Sequence, residues 1–201
     1  MKLHCLGNKK LLQEKKLIAV VGSRRMSSYG KQVVERIVPE LVKAGYIIVS
    51  GMAFGIDAWS HKVCLDYKGK TIAVLASGVN MPTPKSNRWI YERIIRENGL
   101  IVSQFKNGTI PQPVNFLKRN EVIVDLCQKI LIVEGNQTSG TLVTAKLAAD
   151  QGKDVYCVPG RITDNNSFAP NFLIKNGAFY SPFYNYNICL RFVFGYYKSI
   201  R

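Results

Sequence analysis

Leu17-Ile18-Ala19-Val20-Val21-Gly22-Ser23-Arg24-Arg25 decides the fold. Five consecutive apolar residues stopped by a glycine read as a strand buried on both faces, as in a parallel sheet; a half-solvated strand would alternate. The next segment has helical period: Val33, Val34, Ile37, Val38 and Leu41 share one stripe over residues 29–44. Ser27 or Ser28 can cap its start, and Gly45 stands where a helix end wants a positive φ. Pro39 inside this stripe predicts a kink.

The strand–helix unit then repeats. Strands are expected at 46–50, 71–75, 100–103, 129–133 and 155–158, and helices at 56–66, 86–97, 116–126 and 140–151. Alternation of this kind implies β–α–β crossovers, hence an extended Rossmann-like, doubly wound and mostly parallel α/β sheet with helices on both faces. Ligands of such sheets bind beyond the carboxyl ends of the strands. The chain divides into a basic segment 1–16, the α/β unit 17–181, and an aromatic and basic tail 182–201. The tail carries Tyr184, Tyr186, Phe192, Phe194, Tyr196 and Tyr197 without helical period, which suits either a strand packed on the domain or a poorly ordered end.

Charge narrows the choice of partner. The chain has 201 residues and a formal charge of +15, which attracts polyanions. Before Glu35 the one acid is Glu14, against Lys2, Lys9, Lys10, Lys15, Lys16, Arg24, Arg25 and Lys31, and none follows Asp164. No apolar run approaches the ~18 residues of a membrane span, and the first residues lack the pattern of a secretory signal, so a cytoplasmic location without membrane attachment is expected. Five scattered cysteines, Cys5, Cys64, Cys127, Cys157 and Cys189, form no C-x-x-C pair; they are expected as reduced, mostly buried thiols, with no metal site.

Several strand-end loops carry anion chemistry. Gly22-Ser23-Arg24-Arg25 offers close backbone approach, a hydroxyl and two guanidiniums for phosphate, or else is a tight turn with solvated arginines. Gly135-Asn136-Gln137-Thr138-Ser139-Gly140-Thr141 precedes a helix N-terminus, which favours an anion, though a turn with an N-cap accounts for it equally well. Thr141 stands where a Walker loop has lysine, and no G-x-G-x-x-G occurs, so no nucleotide or dinucleotide cofactor is expected. Asp57 and His61 are i and i+4 on one helix, and a structural hydrogen bond between them is expected rather than an acid–base pair. Phe116-Leu117-Lys118-Arg119-Asn120 sets a ring beside two cations, as single-stranded nucleic acid wants, or else Phe116 is core.

In their order, these loops resemble the DNA-processing protein A (DprA, or Smf) family. The resemblance rests on Val20-Val21-Gly22-Ser23-Arg24, Ser50-Gly51 with Gly55-Ile56-Asp57 and His61, and Phe116 with Arg119-Asn120. It continues through Glu134, Ser139-Gly140-Thr141-Leu142, Thr144-Ala145, Val158-Pro159-Gly160, Asn171, Leu173-Ile174 and Gly177-Ala178, spanning about residues 17–181. The family implies an extended Rossmann fold that binds single-stranded DNA, usually as a homodimer, protects it during natural transformation and hands it to the RecA recombinase, without catalysis. Carried onto this chain, the DNA-binding residues are Gly22, Ser23, Arg24, Gly51, Phe54, Gly55, Lys118, Arg119, Asn120, Ser139, Gly140, Thr141, Asn171 and Lys175.

Phe54 and Glu121 stand where the family usually has arginine, and either weakens phosphate pairing unless Phe54 stacks on a base. Many members carry further small domains on either side of the Rossmann unit, and no such module is legible here. Two other classes compete. A small-nucleotide sensor would use the same loops. A nucleotide-processing phosphoribohydrolase would show P-G-G-x-G-T-x-x-E, but Thr144 occupies the glutamate position and removes its proton handling.

Overall fold

A computed structural model describes residues 2–181, so the aromatic tail and Cys189 lie outside the described residues. One eight-stranded sheet has the order β1-β5-β4-β3-β2-β6-β7-β8. Its strands are β1 (His4–Gly7), β2 (Leu17–Val21), β3 (Ile47–Ser50), β4 (Thr71–Val74), β5 (Leu100–Ser103), β6 (Lys129–Ile132), β7 (Asp154–Cys157) and β8 (Phe179–Tyr180). Every pairing is parallel except that of β1 with β5. The helices are α1 (Ser28–Lys43), α2 (Ile56–Asp66), α3 (Arg88–Arg96), α4 (Pro113–Leu126), α5 (Gly140–Asp150) and α6 (Phe168–Lys175).

Alternation along β2 explains the two layers. Ile18 and Val20 pack against Val34, Ile37, Val38 and Leu41 of α1 and Ile56 and Val63 of α2. Ala19 and Val21 face the opposite way, toward Val122 and Ile123 of α4 and Ala145 and Ala148 of α5. Both faces of β2 are therefore dry, which is why its sequence is a continuous apolar run. Ile90 and Ile94 bring α3 onto Ala73, Leu75 and Ile101. From β2 the strand order runs outward to β5 on one side and through β6 to β8 on the other. The order reverses between β2 and β6, and their carboxyl ends open a crevice at that switch point.

Three features depart from the sequence reading. First, α1 runs unbroken through Pro39, and α4 begins at Pro113, where the first helical position tolerates proline. Second, the segment before Leu17 is structured: β1 covers the edge of β5, with His4 opposite Ser103 and Gly7 opposite Leu100. Gly7 has a φ of +105°, and a Cβ there would stand 2.4 Å from the Gly99 carbonyl oxygen. Asn8 then caps a short 3-10 helix, Lys9–Gln13, which plants Leu11 in the core. Third, α6 and β8 extend the alternation past the sixth expected strand, with Tyr156 beside Phe179 in register. Cys64, Cys127 and Cys157 are buried free thiols, and Cys5 is half-buried. Among the described residues no helix is long and apolar enough to cross a membrane.

Leu11 is only 6 % exposed. Leu11→Ala is expected to cost about 2 kcal/mol of stability, seen as a lower urea midpoint with an unchanged m value. An unchanged midpoint would mean that the Leu11 side chain contributes nothing to the core.

Candidate nucleic-acid interface

The switch-point crevice is a cleft of about 450 Å³. Its walls are the β2–α1 loop from Gly22 to Arg25, the first turn of α5 with Ser139, Gly140 and Thr141, and Arg119, Asn120 and Ile123 of α4. Ala53, Asp57, Thr144 and Asn166 are also among its lining residues.

Beneath the cleft lies a buried charge. Arg119 is 5 % exposed. Its Nη1 donates to the Gly51 carbonyl oxygen at 2.6 Å and to that of Val74 at 3.2 Å, so it satisfies the ends of β3 and β4. A Cβ on Gly51 would fall 1.7 Å from that nitrogen, so the glycine makes room for the guanidinium. Asp57 is buried beside it and accepts from the Gly51 amide at 3.2 Å. Burial pushes the Asp57 carboxyl above its ordinary range, against the pull of Arg119 and of the backbone amides of Gly51, Gly22 and Ala53. Burial likewise lowers the Arg119 guanidinium, which the Asp57 charge opposes.

Arg119 also orients its neighbour. Its Nε donates to Asn120 Oδ1 at 3.0 Å, so the Asn120 amide group is turned with Nδ2 toward Gly140. The cleft therefore receives N–H donors from Asn120 and from the positive end of α5. Ser139 caps that helix: its Oγ accepts from the Thr141 amide at 3.1 Å and pairs with the Thr141 hydroxyl at 2.6 Å.

The β2–α1 loop is pinned at both ends. Ser23 Oγ donates to Asn166 Oδ1 at 3.3 Å, and Asn166 Nδ2 donates to the Arg25 carbonyl at 2.9 Å. Gly55, at φ +73° and ψ −126°, lies against the Ser23 carbonyl, where a Cβ would approach to 2.2 Å. At the helix end, Ser27 caps α1, and its amide and hydroxyl both donate to Glu134. A Cβ on Gly30 would collide with that carboxylate. Between these anchors Arg24 is exposed, with its guanidinium over the Phe116 ring, 4.9 Å from the centroid. Phe116 is half-buried, between the two readings the sequence left open.

The fourteen sequence-expected residues therefore separate. Gly22, Ser23, Arg24, Arg119, Asn120, Ser139, Gly140 and Thr141 meet at the cleft. Gly51 and Gly55 shape it from behind. Phe54 and Lys118 are exposed outside its lining. Asn171 spends its amide on Gly160, accepting from its N–H at 3.2 Å and donating to its carbonyl at 3.0 Å, and Lys175 is exposed at the end of α6. Asn166 was missed; a lone asparagine in a polar run carries no sequence signal beyond a helix start.

The expected Asp57–His61 bond does not form. His61 Nδ1 pairs with Thr71 Oγ1 at 2.6 Å, and that hydroxyl donates to the Ile48 carbonyl at 2.6 Å, so the histidine is the donor. Burial holds His61 neutral, with its pKa lowered to about 3.

Arg119→Leu leaves Asp57 buried without its compensating charge, and is expected to cost at least about 3 kcal/mol at neutral pH. Without Arg119, the folded-state pKa of Asp57 rises further above its unfolded value of about 3.9. The variant's stability is then fully present below that unfolded value and lost as pH rises through the folded pKa. Urea titrations at pH 7 and pH 4 should show the deficit against the parent narrowing in acid; a constant deficit would mean that the two charges are uncoupled.

The family model of DNA recombination-mediator protein A matches residues 1–186. The DNA processing protein DprA of Bacillus subtilis is 36% identical over 176 residues, covering 88% of this chain and 59% of that protein. Protein Smf of Escherichia coli is 39% identical over 161 residues, 80% of this chain and 43% of the relative. The chain thus spans about half the length of the curated relatives it matches. Among solved structures, DprA of Streptococcus pneumoniae superposes with a TM-score of 0.84 at 36% identity, covering 89% of this chain and 62% of that one. DNA processing protein A of Helicobacter pylori, described for its single-stranded DNA binding mode, gives 0.87 at 29% identity, covering 97% and 88%. A molybdenum cofactor binding protein of Rippkaea orientalis, at 17% identity and a TM-score of 0.57, shares the fold alone.

Proposed function

Because the chain belongs to the DNA recombination-mediator protein A family, we propose that it binds single-stranded DNA in the switch-point cleft and has a DNA-processing role. The observation that carries this reading is the cationic, N–H-rich character of the cleft mouth. Arg24, Arg25, the Asn120 amide group and the α5 N-terminus converge there, while the nearby carboxylates are consumed, Asp57 under Arg119 and Glu134 on the α1 cap. Gly22, Ser23, Arg24, Asn120, Ser139, Gly140 and Thr141 contact the backbone or a base in this reading. Gly51, Gly55 and Arg119 hold the cleft open, and Phe54, Lys118, Asn171 and Lys175 border the strand outside it. The protein hands the strand to a RecA-type recombinase in the cytoplasm and works as a homodimer, as the family resemblance suggests. Catalysis has no part: Thr144 stands where a phosphoribohydrolase needs its glutamate and spends its hydroxyl on the Gly140 carbonyl at 3.1 Å.

Fluorescence anisotropy with a labelled single strand of ~20 nucleotides and its duplex, across a salt series, tests the reading. Single-strand preference is expected, with log K falling by ~0.7 per phosphate contact for each decade of salt. Arg24→Ala should weaken binding roughly ten- to a hundredfold, the range for a charged hydrogen bond, and flatten the slope by about one contact. Equal, weak binding to both forms would reject the proposal; saturable binding of a mononucleotide that oligonucleotides do not displace would identify a nucleotide sensor.

In the same assay, Phe54→Arg supplies the guanidinium usual in the family. It is expected to raise affinity and steepen the salt slope by ~0.7. No change in either would place residue 54 off the DNA path.

A further inference from the structure

The outward face of α6 carries an arrangement that neither the core nor the cleft requires. At 100° per residue, Ala169, Pro170, Leu173 and Ile174 point to the sheet side, where Ala169 and Pro170 are buried. Phe168, Phe172 and Lys175 fall on the opposite side, at i, i+4 and i+7. The two rings lie 5.9 Å apart and 8° from parallel, and are 40 % and 47 % exposed. Two half-exposed phenylalanines held parallel on an eight-residue helix keep aromatic faces in water, with a lysine a turn beyond.

The position of this face matters as much as its composition. Asn166, two residues before Phe168, lines the cleft and pins the β2–α1 loop, and Ala169 donates its amide to the Gly135 carbonyl at 2.8 Å. The helix thus starts at the cleft wall and leads away from it. No acidic residue follows Asp164 anywhere in the chain, so a polyanion leaving the cleft along α6 meets no repulsive side chain from its own segment.

The geometry points to Phe168 and Phe172 as a base-stacking platform, with Lys175 on the adjoining phosphate, that carries a single strand out of the cleft. This inference rests on the proposed function. It adds a second contact region, one for bases, beside a cleft whose chemistry suits phosphate. Aromatic faces accept any base, so the platform would add affinity without sequence preference.

Strands of ~20 and ~5 nucleotides separate the two regions, the short one filling the cleft alone. Phe168→Leu with Phe172→Leu keeps apolar area but removes the π-faces. It is expected to weaken the long strand about tenfold or more, to leave the short strand nearly unchanged, and to keep the salt slope. The Phe168→Trp, Phe172→Trp pair should retain long-strand affinity. Lys175→Gln should flatten the slope for the long strand alone, by ~0.7. Urea midpoints of all variants, and their masses by light scattering, are measured alongside.

Unchanged long-strand affinity in the leucine pair overturns the platform while leaving the cleft reading intact. So does an equal loss on both lengths, which would make α6 a prop of the cleft. A fall in self-association with unchanged DNA affinity would assign this face to a second copy of the chain. If the parent protein binds neither strand, the platform falls together with the function on which it rests.

Discussion

A guanidinium enclosed under the cleft constrains every residue around it. Moving an ion out of water costs several kcal/mol even after relaxation, so Arg119 is tolerable only where carbonyls and a counter-charge receive it. The carbonyl oxygens of Gly51 and Val74 do so at the ends of two neighbouring parallel strands, and Asp57 supplies the charge. Gly51 must lack a side chain for the group to fit. His61, on the same helix as Asp57, is held neutral chiefly by its burial, and the Arg119 charge nearby pushes in the same direction. The strand ends, the α2 start and the α4 register are thus tied to one side chain.

That arrangement governs the cleft indirectly. Arg119 faces the sheet, and its effect on the cleft is to turn the Asn120 amide so that its Nδ2 faces Gly140. Its charge, buried and little screened, adds a positive potential under the floor. The loop carrying Arg24 is fixed separately, by Asn166 at its start and by the Glu134–Ser27 contact at the α1 cap. Holding the loop's ends while leaving the Arg24 guanidinium on an exposed ring sets backbone geometry in advance without committing the charge.

The legibility of the sequence follows the same physics. Strands β2 to β6 are dry on both faces apart from Lys129 at the start of β6, so their apolar runs announce them, and glycine follows β2, β3 and β6 at their carboxyl ends. The edge strand β1, His4-Cys5-Leu6-Gly7, is nowhere fully buried and carries no continuous apolar run, so nothing in it announces a strand. In α6, Pro170 in the first turn and phenylalanines on the solvent side blur the stripe that a helix usually displays. Gly51 entered through the family resemblance alone, and only the fold shows that its absent side chain makes room for Arg119. The Asp57–His61 expectation failed because the i, i+4 rule describes side chains free to meet on a helix surface. Both of these are buried, where the nearest backbone amide and the Thr71 hydroxyl compete for them.

The net charge of +15 therefore says less than the placement of the few acids. Each carboxylate near the cleft compensates something positive, Asp57 a guanidinium and Glu134 the dipole end of α1, so neither stands there as an uncompensated negative charge. Elsewhere acids pair with cations along and between helices, as Asp66 does with Lys62 of α2 and Arg93 of α3 at 2.6 Å, and Glu97 with Arg93 at 2.7 Å. Such exposed pairs contribute little to stability, but they confine unpaired positive charge to the remaining surface. Where β2 and β6 diverge, the exposed charged groups are the cationic Arg24 and Arg25, and the Asn120 amide and the α5 N-terminus add N–H donors. A polyanion drawn in by the overall field would thus find hydrogen-bonding partners already oriented at the crevice that the sheet topology opens.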